Sequence, residues 1–75
     1  MSDEELDATG LLCPLPVLKA AKRLRAMAPG ATLRLIADDP AAVVDVPHFC
    51  TEAGHALLSQ QLDVTPQVYV IRKNG

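Results

Sequence analysis

Polar and apolar residues alternate along some segments of this chain and recur at helical spacing along others. Leu6-Asp7-Ala8-Thr9 alternates and ends at Gly10, which predicts a short first strand. Thr32-Leu33-Arg34-Leu35-Ile36-Ala37 reads as a second strand, closed by Asp38-Asp39-Pro40. Two further strands are expected over Ala56–Leu62 and Gln67–Lys73, joined across Asp63-Val64-Thr65-Pro66. In the last strand Val68 and Val70 share one face, Tyr69 and Ile71 the other.

The helical period is clearest from Pro16 to about Ala28. At about 100° per residue, Val17, Ala21, Leu24 and Ala28 form one apolar stripe, with Lys19, Lys22 and Arg23 on the opposite side. Pro29-Gly30 stops this helix. Asp39 and Pro40 suit the N-cap and first position of a helical turn. Pro47 has no N–H to donate, which predicts a second helix start near Asp45. From there Val46, Phe49, Cys50 and Ala53 share a face, and Gly54 is placed as a C-cap.

The element order is therefore βαβαββ. With one apolar stripe per helix, the arrangement that buries all of it is an α+β two-layer sandwich: a four-stranded mixed sheet with two helices on one face. The first two strands should be parallel, joined by a right-handed crossover, and the last two an antiparallel hairpin. Residues 1–75 make one domain, with 1–5 expected to be flexible. Hydrophobic residues are 49% of the chain, yet it has one Phe, one Tyr and no Trp, so the core must be aliphatic.

A formal charge of −2 argues against direct nucleic-acid binding, which needs a net basic surface. Met1-Ser2-Asp3-Glu4-Glu5 is acidic where a secretory leader is basic and then apolar, and no apolar run reaches membrane-spanning length. The expectation is a cytoplasmic monomer with no membrane partner. Two cysteines in such a chain do not make a disulfide framework.

Candidate chemistry centres on Cys13, in Leu12-Cys13-Pro14-Leu15-Pro16 at the junction of strand and helix. Pro14 and Pro16 favour extended backbone at Cys13 and Leu15, which holds the thiol just outside the first helical turn. Helix N-terminal N–H groups and the helix dipole there favour the thiolate, the nucleophilic form. The competing reading is an ordinary buried cysteine. Cys50, in the middle of an apolar stripe, reads as structural, and a disulfide with Cys13 is its alternative role. His48 and His55 do not converge with Cys50 on one helical face, so no metal or other cofactor is expected. Lys19, Lys22 and Arg23 form either a solvated helix face or a docking surface for an acidic partner. Asp38, Asp39 and Asp45 read as caps. Neither a Ser-His-Asp pattern nor a phosphate-binding glycine loop is present.

Cys13-Pro14-Leu15-Pro16 at the start of the first helix resembles the Cys-Pro-x-Pro signature of the TusA/SirA family of small sulfur-carrier proteins. Asp38-Asp39-Pro40-Ala41 with Asp45-Val46-Pro47-His48-Phe49-Cys50, and Tyr69-Val70-Ile71-Arg72-Lys73, are similar to two further blocks of that family, in order. The resemblance implies a sulfurtransferase that receives a persulfide on Cys13 from a cysteine desulfurase or other sulfur donor. It would pass that sulfur to an acceptor protein, in tRNA 2-thiouridine synthesis, sulfur oxidation or molybdenum-cofactor maturation. Members serving tRNA thiolation often carry Arg before the cysteine and Glu between the prolines. Here Leu12 and Leu15 stand there, and the expectation is that they form a small apolar docking patch around the thiol. Two other readings are a noncatalytic protein-binding module and a Cys13/Cys50 redox switch.

Overall fold

The computed structural model describes residues 3–74 of the chain. Its elements are β1 (Asp3–Asp7), α1 (Leu15–Arg25), β2 (Thr32–Ala37), α2 (Ala42–Ala53), β3 (Ala56–Gln61) and β4 (Gln67–Arg72). The strands form one mixed sheet in the order β1-β2-β4-β3. β1 runs parallel to β2, while β4 is antiparallel to both β2 and β3. This is the βαβαββ α+β fold that the residue pattern predicts.

Alternation along the two central strands decides which face is covered. Leu33, Leu35 and Ala37 of β2 and Tyr69 and Ile71 of β4 are buried, and they join Ala20 and Leu24 of α1 and Ala42, Val46 and Cys50 of α2 in one core. Both helices therefore lie on the same face of the sheet. Full burial of side chains the size of Leu24 or Ile71 is worth about 1.5–3 kcal/mol each, and these central positions carry the fold. Among the described residues Tyr69 is the one buried side chain with a hydroxyl, and that hydroxyl donates to Gln67 Oε1 at 2.7 Å.

Several boundaries differ from the expectation. β1 begins at Asp3, not Leu6, so Asp3–Glu5 belong to the sheet; Met1 and Ser2, also in the expected flexible stretch, lie outside the described residues. An apolar pattern cannot reveal this stretch because charges hold it. Arg23 of α1 reaches Glu4 at 3.3 Å, and Arg34 of β2 reaches its cross-strand neighbour Glu5 at 3.4 Å.

Helix α1 ends at Arg25, and its buried line is Pro16, Ala20 and Leu24, with Val17 packed at the margin and Ala28 exposed. The stripe is thus turned by about one residue from the predicted one. Leu15 is the first helical residue although a proline follows it, because Pro16 occupies the first turn, where an N–H has no helical acceptor.

Helix α2 is one continuous helix from Ala42, without a second start near Asp45. The carbonyls of Asp39, Pro40 and Ala41 already receive the N–H groups of Ala42, Val43, Val44 and Asp45. Pro47 then costs only the donor to the Val43 carbonyl. Ala41, not Asp39, occupies the N-cap position, and Gly54 closes the helix with φ 77°, as its placement suggests. β3 stops at Gln61 and carries an irregularity between Leu57 and Ser59.

Candidate functional site

A parallel β1–β2 pair places the C-terminal ends of both strands at the same edge of the sheet. The loops that follow them, residues 8–14 and 38–41, consequently meet. Ala8 continues the pairing, its N–H donating to Ile36 O at 2.7 Å, and Leu11 packs against the core. The chain then turns over Leu12–Leu15, closed by the Leu15 N–H on Leu12 O at 2.8 Å. Cys13 takes one of the two central positions of that turn and is exposed.

Two aspartates tie this turn to the start of α2. Asp38 Oδ1 accepts the Gly10 N–H at 2.9 Å. Asp39, itself buried, accepts the Cys13 N–H on Oδ2 at 2.5 Å and the Ala41 N–H on Oδ1 at 3.2 Å. The Asp39 carbonyl in turn receives Gln67 Nε2 at 3.3 Å, and Gln67 is the residue that satisfies Tyr69. A hydrogen-bonded line thus runs from the core through β4 to the backbone of Cys13.

The electrostatics around the sulfur differ from those of a thiol at a helix N-terminus. Cys13 precedes Pro14, the N-cap residue, and Pro14 has no N–H. The charges that shift its proton affinity are carboxylates. Hydrogen bonding to the Asp45 side chain, then partial desolvation, then the charges of Asp45 and Asp39 all raise the Cys13 pKa above its ordinary value. The resting sulfur is therefore held as a thiol, against the expectation of a favoured thiolate.

Cys50 is 2% exposed, and burial pushes its pKa up to about 11. Both cysteines are free, one at the surface and one in the core. This separates their chemistry, since only Cys13 is open to a macromolecular partner.

Leu12 and Leu15 are exposed beside Cys13, and Leu18 and Val44 are exposed nearby in α1 and α2. Lys19 and Lys22 are also exposed, one and two turns along α1 from Leu15. Arg23 is occupied otherwise, pairing with Glu4 and contacting the Glu5 carbonyl at 3.5 Å. A groove of about 320 Å³ lies between α1 and β1, lined by Leu6, Lys19, Lys22, Arg23 and Ala26; Cys13 does not line it. His48 pairs with Glu52 at 3.4 Å on the outer side of α2, and among the described residues no group of three metal-ligating side chains converges. No helix among these residues is long and apolar enough to cross a membrane.

The residue pattern points to Cys13 but treats Asp39 and Asp45 as helix caps. The usable signal was the Asp38-Asp39-Pro40 turn directly after β2, since a parallel β1–β2 pair brings that turn against the loop after β1. A sequence model of one protein family, described as "Sulfurtransferase TusA", matches residues 4–73.

Proposed function

The chain belongs to the TusA sulfurtransferase family, and from that premise we propose that it carries sulfur as a persulfide on Cys13. The observation that carries this reading is the exposed Cys13 on a hydrogen-bonded turn, outside the groove between α1 and β1. A carrier must enter two different active sites in succession, and a projecting thiol on a rigid turn suits that task better than an enclosed one.

Loading needs no external oxidant or reductant. The Cys13 sulfur attacks the outer sulfur of a donor persulfide, R–S–SH. The donor S–S bond breaks as the Cys13 S–S bond forms. The proton lost from Cys13 is balanced by one gained by the departing donor sulfur, leaving Cys13–S–SH and R–SH. Unloading is the same exchange with an acceptor thiol as the attacking group. The donor is a cysteine desulfurase or another protein persulfide. Leu12 and Leu15 form the apolar contact around the exchange, and Lys19 and Lys22 add positive charge for an acidic partner surface. Arg23 belongs to this face through its helix position, but its ion pair with Glu4 makes it the least available of the three cations.

Intact-mass analysis after incubation with a cysteine desulfurase and cysteine tests the proposal. The wild-type chain should gain one sulfur that dithiothreitol removes. Cys13→Ala should gain none, and Cys50→Ala should still gain it. Uptake that persists in Cys13→Ala would overturn the assignment.

A further inference from the structure

Asp39 is the only charged residue among the buried side chains described, and its contacts are directed at one loop. Its Oδ2 takes the Cys13 N–H at 2.5 Å and its Oδ1 the Ala41 N–H at 3.2 Å. Its carbonyl is held by Gln67 Nε2 at 3.3 Å, and Gln67 is held by the buried Tyr69 hydroxyl at 2.7 Å. A carboxylate placed only to cap a helix would receive N–H groups from the first turn of α2. Asp39 instead divides its oxygens, giving Oδ1 to the turn that leads into α2 and Oδ2 to the loop that bears the thiol.

We infer that Asp39 is a positioning residue for sulfur transfer: through the Cys13 N–H it fixes the backbone from which the sulfur projects, so that a partner meets the sulfur in one orientation. The inference rests on the persulfide-carrier reading of Cys13 and adds to it the residue that aims the sulfur. In-line attack on a donor S–S bond requires the attacking sulfur, the outer donor sulfur and the leaving sulfur to align. A misplacement of about 1 Å in such a geometry costs up to about a hundredfold in rate. An exposed turn without the Asp39 bond would sample many sulfur positions. The bond to a buried carboxylate removes that freedom before the partner arrives, which is the advantage of preorganisation. The negative charge of Asp39 also faces the thiol, together with Asp45 of α2, so the same side chain that aims the sulfur helps to keep its proton on it until exchange begins.

The test uses the full chain with Asp39→Ala and Asp39→Asn, and two readouts. The first is the single-turnover rate of sulfur uptake from a desulfurase persulfide, followed by intact mass. The second is the Cys13 amide in a proton–nitrogen NMR spectrum, with its hydrogen exchange. In the wild type the Cys13 amide proton should lie downfield and exchange slowly, as a short bond to a carboxylate requires. Asp39→Ala should shift it upfield, speed its exchange at least about tenfold, and slow uptake at least about tenfold, while the amides of Leu33 and Tyr69 stay in place. Asp39→Asn retains an oxygen acceptor without the charge, and should recover uptake to within about threefold of wild type with an intermediate amide shift. Should Asp39→Ala not fold, the Asn variant decides: an unchanged Cys13 amide proton overturns the inference. Wild-type uptake rates in Asp39→Ala would overturn it equally. Absence of uptake in the wild type itself would instead defeat the carrier reading, and the amide readout would still report whether Asp39 holds the turn.

Discussion

Asp45, in the first turn of α2, raises the pKa of the Cys13 thiol, which arrives from the loop after β1. The relationship joins residues 32 positions apart and inverts the simple expectation for a cysteine before a helix. Hydrogen bonding to Asp45 is the largest cause of the raised Cys13 pKa, ahead of desolvation and of the charges of Asp45 and Asp39. Asp45→Asn should therefore make Cys13 more acidic. Iodoacetamide alkylation followed across pH 6–10 checks this: the wild-type profile should rise at higher pH than that of an unstructured cysteine peptide, and the variant profile should move to lower pH. Identical profiles would show that Asp45 does not bear on the sulfur.

Cys50 makes a different prediction, about stability. Its folded pKa of about 11 lies above the ordinary value of 9.0 because burial disfavours the thiolate. The folded state then holds the proton more tightly than the unfolded chain. This contribution to stability is complete below about pH 9 and is lost as pH rises through about 11. Urea midpoints of the wild type should fall across that window, and Cys50→Ala should fall less steeply. At neutral pH the same substitution should cost about 1–2 kcal/mol for the lost packing.

Tyr69→Phe removes only the hydroxyl that donates to Gln67 Oε1. A loss of about 1 kcal/mol is expected from a buried hydrogen bond of this kind. Denaturant unfolding measures it. A larger loss would mean that the line from Tyr69 through Gln67 to Asp39 acts cooperatively.

Leu12 and Leu15 are exposed, so replacing either with Asp should change stability by no more than about 0.5 kcal/mol. If they contact the donor around Cys13, Leu15→Asp should nevertheless slow sulfur uptake by about tenfold, equivalent to about 1.4 kcal/mol. Parallel measurement of thermal unfolding and of uptake by mass separates these effects. Uptake at the wild-type rate would remove Leu15 from the docking contact.

The central strands were legible in the residue pattern because alternation reports burial on one face: Leu33 and Leu35, Tyr69 and Ile71 are all in the core. The stop at Gly54 was legible because φ restrictions act locally, whereas α1 ends at Arg25, ahead of the expected stop at Pro29-Gly30. The edge strand β1 was only half legible, since Glu4 and Glu5 join the sheet through Arg23 and Arg34, residues far along the chain. The reach of α2 through Pro47 was hidden for a similar reason. The carbonyls that begin the helix belong to Asp39, Pro40 and Ala41, and no periodic signal marks them.

By itself, the order of residues determined the element sequence, a core that is aliphatic apart from Tyr69, and the placement of Cys13 between Leu12 and two prolines. Those properties depend on neighbours within a few positions, where spacing and backbone restriction decide the outcome. Tertiary structure alone decided what surrounds the sulfur. Only when β1 and β2 pair in parallel do their C-terminal loops converge, bringing Asp39 to the Cys13 N–H and Asp45 to its thiol. Electrostatic effects act through space, so the proton on Cys13 answers to residues that its local sequence does not contain.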